Sequence, residues 1–552
     1  MTKQIIFLVA FLSATLFLSA QSEQLWNTAA ITEIIQQYTS DDLPGIAVGI
    51  VQDGQIVHEQ YMGYADLTHR IKVDKNTRFN IASNAKQFTA LYILKLIEDG
   101  KIKLSDDIRM YFPDLYSGIT DKITIANLLT HTSGVRDYCD LLALQGKTWW
   151  RQFVDNEDVM ELLHDQETLN FRPDAEYLYS NSNYILLAKI IEKVTNQKFN
   201  DAATALFEQL DMPNTTFFTH YGAIIPSRAR PYGNWGVWRE EPTIAEVHGD
   251  GALFTTLLDQ LRWEQIVYSN SGKYLSQKLI NVSQAPLATA TEQGYGYGLF
   301  FGEYEGVNYV FHDGVTGAYN NTFLRFPDQD FSIVVMSNNR NVIANQIAWQ
   351  IAFMMLGTEE SNALYPAMPD HIETIVGLQE VTGIYKGEGE NGTIIRIVEK
   401  KGSLYREIYQ RDPVRLISEK GGLFEYETTG GLKMNFTNIG RAEQQLTLYK
   451  STQPPSTYYK IADLTENNFD KTALNGRFYN AETDTEIILT FVEGDTFTLT
   501  KNGRARTAKL VTTDYLRMMD TYQIKLIRDE HSQVIGLNVK NRRIKNVIFE
   551  RL

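Results

Sequence analysis

Cysteine, proline, positive charge and long apolar runs are all scarce in this chain. Cys139 is the only cysteine among 552 residues, so no internal disulfide can form, and the residue reads as a core thiol. The 9 histidines are scattered, no His-Glu-x-x-His occurs, and no His or Cys cluster has metal-ligand spacing. The expectation is therefore chemistry without a metal or another cofactor. A Gly-x-x-x-x-Gly-Lys-[Ser/Thr] phosphate loop and a Gly-x-Ser-x-Gly nucleophile turn are both missing. With 52 Lys and Arg against 67 Asp and Glu, the net charge is -15, which argues against a general nucleic-acid binder. Beyond the N-terminus no segment reaches the roughly 18 uninterrupted apolar residues of a membrane span, so none is expected in the mature protein.

What is present is ample material for a core: 43% apolar residues and 12% aromatics. Met1 to Ala20 reads as a secretory signal, with Lys3 as its positive start, an apolar run over Ile5 to Leu18, and Ser19-Ala20-Gln21 as the cut site. Export to the periplasm or the medium follows, and the bulky Leu18 leaves an uncleaved anchor as the alternative. Two prolines in Tyr365-Pro366-Ala367-Met368-Pro369 mark a linker. Charge divides at nearly the same place: residues 1–374 hold 26 basic and 44 acidic residues, residues 375–552 hold 26 and 23. The acidity belongs to the first part.

The expected organisation is a mixed helix and strand unit over 21–365, then two small β units over 375–465 and 466–552. The β units look duplicated, because Gly383-Ile-Tyr385 followed by Thr393-Ile-Ile-Arg-Ile-Val398 is echoed by Gly476-Arg-Phe-Tyr479 followed by Glu486-Ile-Ile-Leu-Thr-Phe491. Each is long enough to close into an antiparallel barrel, which removes exposed edges. In the first part, Ile46-Ala-Val-Gly-Ile-Val51, Asp53-Gly54 and Gln55-Ile-Val57 read as a hairpin on a tight turn. Ser83 to Gly100 reads as a helix with Ser83 at its N-cap and Gly100 at its end.

Three short motifs could carry chemistry. Ser83-Asn-Ala-Lys86 is the only Ser-x-x-Lys in the chain, and its spacing puts both side chains on one helix face. A serine hydroxyl needs a base to become a nucleophile, and a lysine serves when burial or nearby positive charge favours its neutral form. Tyr179-Ser-Asn181 offers a phenol to relay a proton and an amide to orient Lys86 or a carbonyl. His312-Asp-Gly314 follows the strand Tyr309-Val-Phe311, with residues 312 and 314 facing one side. His131 reads as a buried hydrogen-bonding residue after a helix.

In this order the motifs resemble those of the serine hydrolases related to class C β-lactamases, penicillin-binding proteins and D-aminopeptidases. Their surroundings are similar too: Pro44-Gly-Ile-Ala-Val-Gly-Ile50, Phe79-Asn-Ile-Ala-Ser83, Leu128-Leu-Thr-His-Thr-Ser-Gly134, Tyr179-Ser-Asn-Ser-Asn-Tyr184, Gly249-Asp-Gly-Ala-Leu-Phe-Thr-Thr256 with Asp259, and Tyr295-Gly-Tyr-Gly-Leu299. The resemblance covers residues 26 to 357. It implies an α+β fold, a β-lactamase/transpeptidase-like domain with an antiparallel sheet, flanking helices and a helical region, followed here by the two barrel-like units. It also implies acyl-enzyme chemistry. Ser83 attacks a carbonyl, Lys86 and Tyr179 handle its proton, Asn181 positions substrate, the N–H groups of Ser83 and Val315 hold the oxyanion, and His312 and Gly314 line the site. Where many β-lactamases have Lys-Thr-Gly, this chain has His312-Asp313-Gly314, so a fixed cation is missing, which weakens the case for β-lactams. His-x-Gly is similar to the D-aminopeptidase and esterase members. The expected activity is cleavage of an amide or ester in a short or D-amino-acid peptide. Esterase, β-lactamase and non-catalytic binding of a cell-wall peptide are the alternatives, and oligomeric state is left open.

Overall fold

The computed structural model describes residues 27–269, 275–287, 294–304, 306–357, 377–387, 394–407, 413–418, 422–426, 432–450, 453–461, 470–518 and 522–552. The expected signal over residues 1–20 and the linker at 365–369 lie outside the described residues.

A seven-stranded antiparallel sheet organises the first unit. Across it run Tyr295–Gly296, Leu299–Tyr304, Val307–Thr316, Tyr319–Phe326, Phe331–Ser337, Ile46–Gln52 and Gln55–Met62. The last two strands form the hairpin expected from Asp53-Gly54, and both turn residues have positive φ (51° and 71°). One face of the sheet buries Ile46, Val48, Ile50, Ile333 and Val335 against the helices Thr28–Gln36 and Ala344–Leu356. The other is covered by the helix Leu257–Ser269, and a helical region built on Lys86–Glu98, Asn181–Thr195 and Phe199–Gln209 completes the unit. Burying apolar side chains on both faces supplies the dominant driving force for this layered arrangement.

The C-terminal region forms two closed eight-stranded antiparallel barrels. The first closes by pairing Gly383–Gly387 with Gln453–Ile461, the second by pairing Gly476–Asn480 with Ile544–Arg551. The repeated glycines of the sequence thus open the first strand of each barrel.

The two barrels differ in how they meet the rest of the chain. Interior residues of the first form a cluster of their own, whereas those of the second belong to the same continuous apolar cluster as the helical region. Polar contacts reinforce that second docking. The fully buried Arg136 donates to Glu482 Oε2 at 2.6 Å and to the Asn546 carbonyl at 2.9 Å. Glu482 Oε1 accepts from the backbone N–H groups of Glu167 (3.0 Å) and Thr168 (2.9 Å) and from the Thr168 hydroxyl (2.8 Å). A buried guanidinium tolerates its desolvation only with such a full set of partners.

Candidate active site

Ser83 sits on a short 3-10 turn, Ala82–Ala85, between the strand Phe79–Asn80 and the helix Lys86–Glu98. Its hydroxyl makes no N-cap hydrogen bond, unlike the cap read from the sequence. Ala82 adopts φ 49°, a left-handed conformation that an alanine takes only under constraint, and the Asn80 side chain holds it by accepting the Ala82 N–H at 2.9 Å. The hydroxyl is thereby free for Lys86. That side chain is fully buried, and its Nζ lies 3.1 Å from Ser83 Oγ, 3.0 Å from Asn181 Oδ1, and against the Asp250 carbonyl.

Asn181 Oδ1 and the Asp250 carbonyl can only accept, and the ammonium form of Lys86 donates to all three partners. In the neutral amine, two N–H groups serve those two acceptors. The hydroxyl can donate to the remaining lone pair.

Asn181 is itself fixed at the start of the helix Asn181–Thr195, its backbone N–H donating to Asp137 Oδ2 at 2.7 Å. The Tyr179 hydroxyl is buried and has no hydrogen-bond partner among the described residues. The Tyr179 ring lies 5.1 Å from Lys86 Nζ and 4.2 Å from the imidazole centroid of His131. His131 is fully buried after a short helix, and its Nδ1 accepts from the Ser180 N–H at 3.2 Å. Burial holds the imidazole well below its ordinary pKa, with the nearby Lys86 charge acting in the same direction.

The third motif runs within the strand Val307–Thr316. His312 is 3% exposed, its Nε2 lies 3.3 Å from the Tyr295 hydroxyl, and its ring packs between Tyr179 and Phe300. Burial, and then Lys86, lowers its pKa to about 3, so the imidazole carries no charge near neutrality. Gly314 touches the nucleophile's turn: a Cβ there would stand 2.0 Å from the Ile81 carbonyl oxygen. The Asn321 amide donates to both the Asn80 carbonyl (2.9 Å) and the Gly314 carbonyl (3.1 Å), clamping strand to turn. Gly314→Ala is expected to push the Ser83 turn out of register. A displacement near 1 Å costs on the order of 100-fold in kcat, which initial rates at saturating substrate would measure.

Strand Leu299–Tyr304 pairs only as far as Phe311, so His312 to Thr316 has one open edge. Thr316 pairs with Tyr319 across a two-residue turn, and hydrogen-bonded and open pairs alternate along the ladder. The Val315 pair with Asn320 is therefore an open one, and the Val315 N–H points to the unpaired edge.

A cavity of about 350 Å³ opens here, lined by Ser83, Asn181, Asp250, Val315, Arg542 and Arg543 among others. The structure brings Ser83, Lys86, Tyr179 and Asn181 together, sets Gly314 against the turn and Val315 on the cavity wall, and places His312 beneath Tyr179. Cys139 is half-buried at this wall, and burial raises its thiol pKa, with Asp137 acting in the same direction. Several contributors were not read from the sequence. Asp137 orients Asn181, the Asp250 carbonyl holds Lys86, and Arg543 arrives from the second barrel. Asp250 stood within a quoted motif, whereas nothing local in Asn541-Arg-Arg-Ile544 signals a place beside Tyr179, more than 350 residues away in sequence.

The family model for beta-lactamase matches residues 31–352, more than half of the chain. The chain belongs to the beta-lactamase family. The chain is similar to Protein flp of Staphylococcus aureus (strain N315), 29% identical over 316 residues, which are 54% of this chain and 60% of flp. The chain thus spans about 60% of the length of that relative. A solved octameric penicillin-binding protein homologue from Pyrococcus abyssi superposes with TM-score 0.56 at 21% identity, covering 78% of this chain and 98% of its own. A D-stereospecific amidohydrolase from Streptomyces sp. shares the fold at TM-score 0.50 and 21% identity, over 60% of this chain and 100% of its own. Among the described residues no helix is long and apolar enough to cross a membrane.

Proposed function

We propose that the protein is an exported, metal-independent serine hydrolase that cleaves an amide or ester through an acyl-Ser83 intermediate, with a short or D-amino-acid-containing peptide as its favoured substrate. The observation that carries this reading is the buried Lys86 amine 3.1 Å from Ser83 Oγ, with its other two partners acceptors only. Lys86 takes the hydroxyl proton as Ser83 attacks the carbonyl. The negative charge that develops on the substrate oxygen falls between the N–H groups of Ser83 and Val315. Tyr179, whose hydroxyl has no partner among the described residues, passes its proton to the leaving group and is reprotonated by the Lys86 ammonium, and water then releases the acyl group by the same route reversed, returning a proton to Ser83 Oγ. Asn181 positions the substrate carbonyl, and His312 and Gly314 support the wall on which it rests. The amidohydrolase of the same fold is consistent with a D-configured substrate, as is the His-x-Gly motif.

The test is the initial rate on a D-alanyl anilide, a short-chain nitrophenyl ester and a chromogenic cephalosporin, with intact-mass spectrometry of the same samples. The expected result is fastest turnover of the anilide and an acyl adduct that peptide mapping places on Ser83. Absence of both turnover and adduct overturns the reading.

A further inference from the structure

The turn Asn541 to Ile544 joins the last two strands of the second barrel, Val534–Asn541 and Ile544–Arg551, and it enters the wall of the Ser83 cavity. Its backbone is tied down independently of its charged head groups. The Arg543 N–H donates to Asp140 Oδ2 at 2.7 Å, the Asn541 amide to Asp140 Oδ1 at 3.2 Å, and the Asn170 amide to the Arg543 carbonyl at 3.1 Å. The Arg543 guanidinium lies 4.6 Å from the Tyr179 ring centroid, the same ring that stands 5.1 Å from Lys86 Nζ. Only Nη1 has a polar partner among the described residues, Asp137 Oδ2 at 3.4 Å, and 40% of the side chain remains exposed. Nε and Nη2 are left as donors beside the reacting centre, and the exposed Arg542 lines the same cavity.

We infer that Arg543, supported by Arg542, forms a binding site for a substrate carboxylate, so that between a peptide ending in a free carboxylate and the same peptide ending in an amide this hydrolase binds the acid more tightly. The inference rests on the acyl-Ser83 reading and names its substrate class. A guanidinium presents a planar fork that matches two carboxylate oxygens, and here the turn's own hydrogen bonds hold the backbone that carries it. It supplies from another barrel the cation that the His312 motif lacks. The two acidic residues of the wall do not compete for it. Both Asp140 oxygens are engaged by the turn itself, and the Asp250 carboxyl lies 3.3 Å from the Tyr138 hydroxyl, with burial raising its pKa.

The experiment is calorimetric titration of N-acetyl-D-alanyl-D-alanine and of its C-terminal amide into the full chain carrying Ser83→Ala, with and without Arg543→Gln. The acid is expected to bind at least about tenfold more tightly than the amide, and Arg543→Gln to bring the ratio close to one. Arg543→Lys, which keeps the charge and loses the fork, is expected to retain an intermediate ratio. An acid that binds no better than the amide, or a preference that persists in Arg543→Gln, overturns the inference. A parallel decline in affinity for both ligands in Arg543→Gln also overturns it, because that is the signature of a residue that merely props Tyr179 and Asp137. Failure of the acyl-Ser83 reading is separable, since it shows as absent turnover in the unsubstituted protein while the binding ratio stands.

Discussion

Lys86→Ala is expected to lower kcat/KM by about 10³- to 10⁴-fold, the range associated with losing a general base that also activates the nucleophile. Ser83→Ala is expected to lose at least as much, and the double variant no more than the worse of the two. The reason is in the geometry. Lys86 is fully buried and its nitrogen contacts Ser83 Oγ, Asn181 Oδ1 and the Asp250 carbonyl, so its direct route to the bond-making step is through that hydroxyl. Groups that act as one unit show strongly non-additive losses, because removing either leaves the other without a task. Single-turnover rates on the fastest substrate, measured for the two single variants and the double, check this. Multiplying losses would mean that Lys86 and Ser83 act in separate steps.

The second large effect concerns stability. Glu482→Ala is expected to weaken docking of the second barrel by about 3–5 kcal/mol, the cost of leaving a buried charge without its partner. Arg136 would keep Gln166 Oε1 at 3.0 Å and Thr168 Oγ1 at 2.7 Å but lose its counter-charge, and two backbone N–H groups at Glu167 and Thr168 would lose their acceptor. Hydrogen exchange reads the outcome locally. Protection is expected to fall in residues 166–170 and 541–546, while strands such as Tyr522–Arg528 within the barrel keep theirs, since their ladder partners are untouched. Loss of protection throughout the barrel would instead mean that Glu482 holds the barrel's own fold. With the barrel undocked, the acid-over-amide preference assigned to Arg543 should shrink in step.

Sequence reasoning reached far where structure is local. The Asp53-Gly54 hairpin and the glycines that open each barrel are decided by neighbours within a few residues, and turn chemistry or the internal repeat exposes them, whereas the motifs at Ser83, Tyr179 and His312 were legible through their order and surroundings, which resemble a known family. It fell short at the Ser83 turn, where a serine before an apolar run looks like a helix cap. The left-handed Ala82 and its hold by Asn80 come from packing against Gly314, more than 230 residues away in sequence. Asp137 and Arg543 were out of reach for the same reason. Their roles exist only after the helical region and the second barrel have met, and no spacing rule connects Asp137 to Asn181 or Arg543 to Tyr179.

The cavity's walls are divided between the first unit and the second barrel. Ser83, Lys86 and Asn181 are held by the first unit's own turn, helices and carbonyls, whereas Arg542 and Arg543 sit on a hairpin that hydrogen-bonds mainly through its backbone. Heritable change can therefore reach the two through different codons. A replacement at residue 542 or 543 re-draws which molecules are admitted and leaves the bond-breaking groups where they are. A replacement in the Ser83 turn disables the chemistry whatever is admitted. Diversification of substrate range in this architecture is accordingly cheapest at residues 542 and 543 of the barrel hairpin, whose anchoring bonds run through the Arg543 backbone and the Asn541 amide.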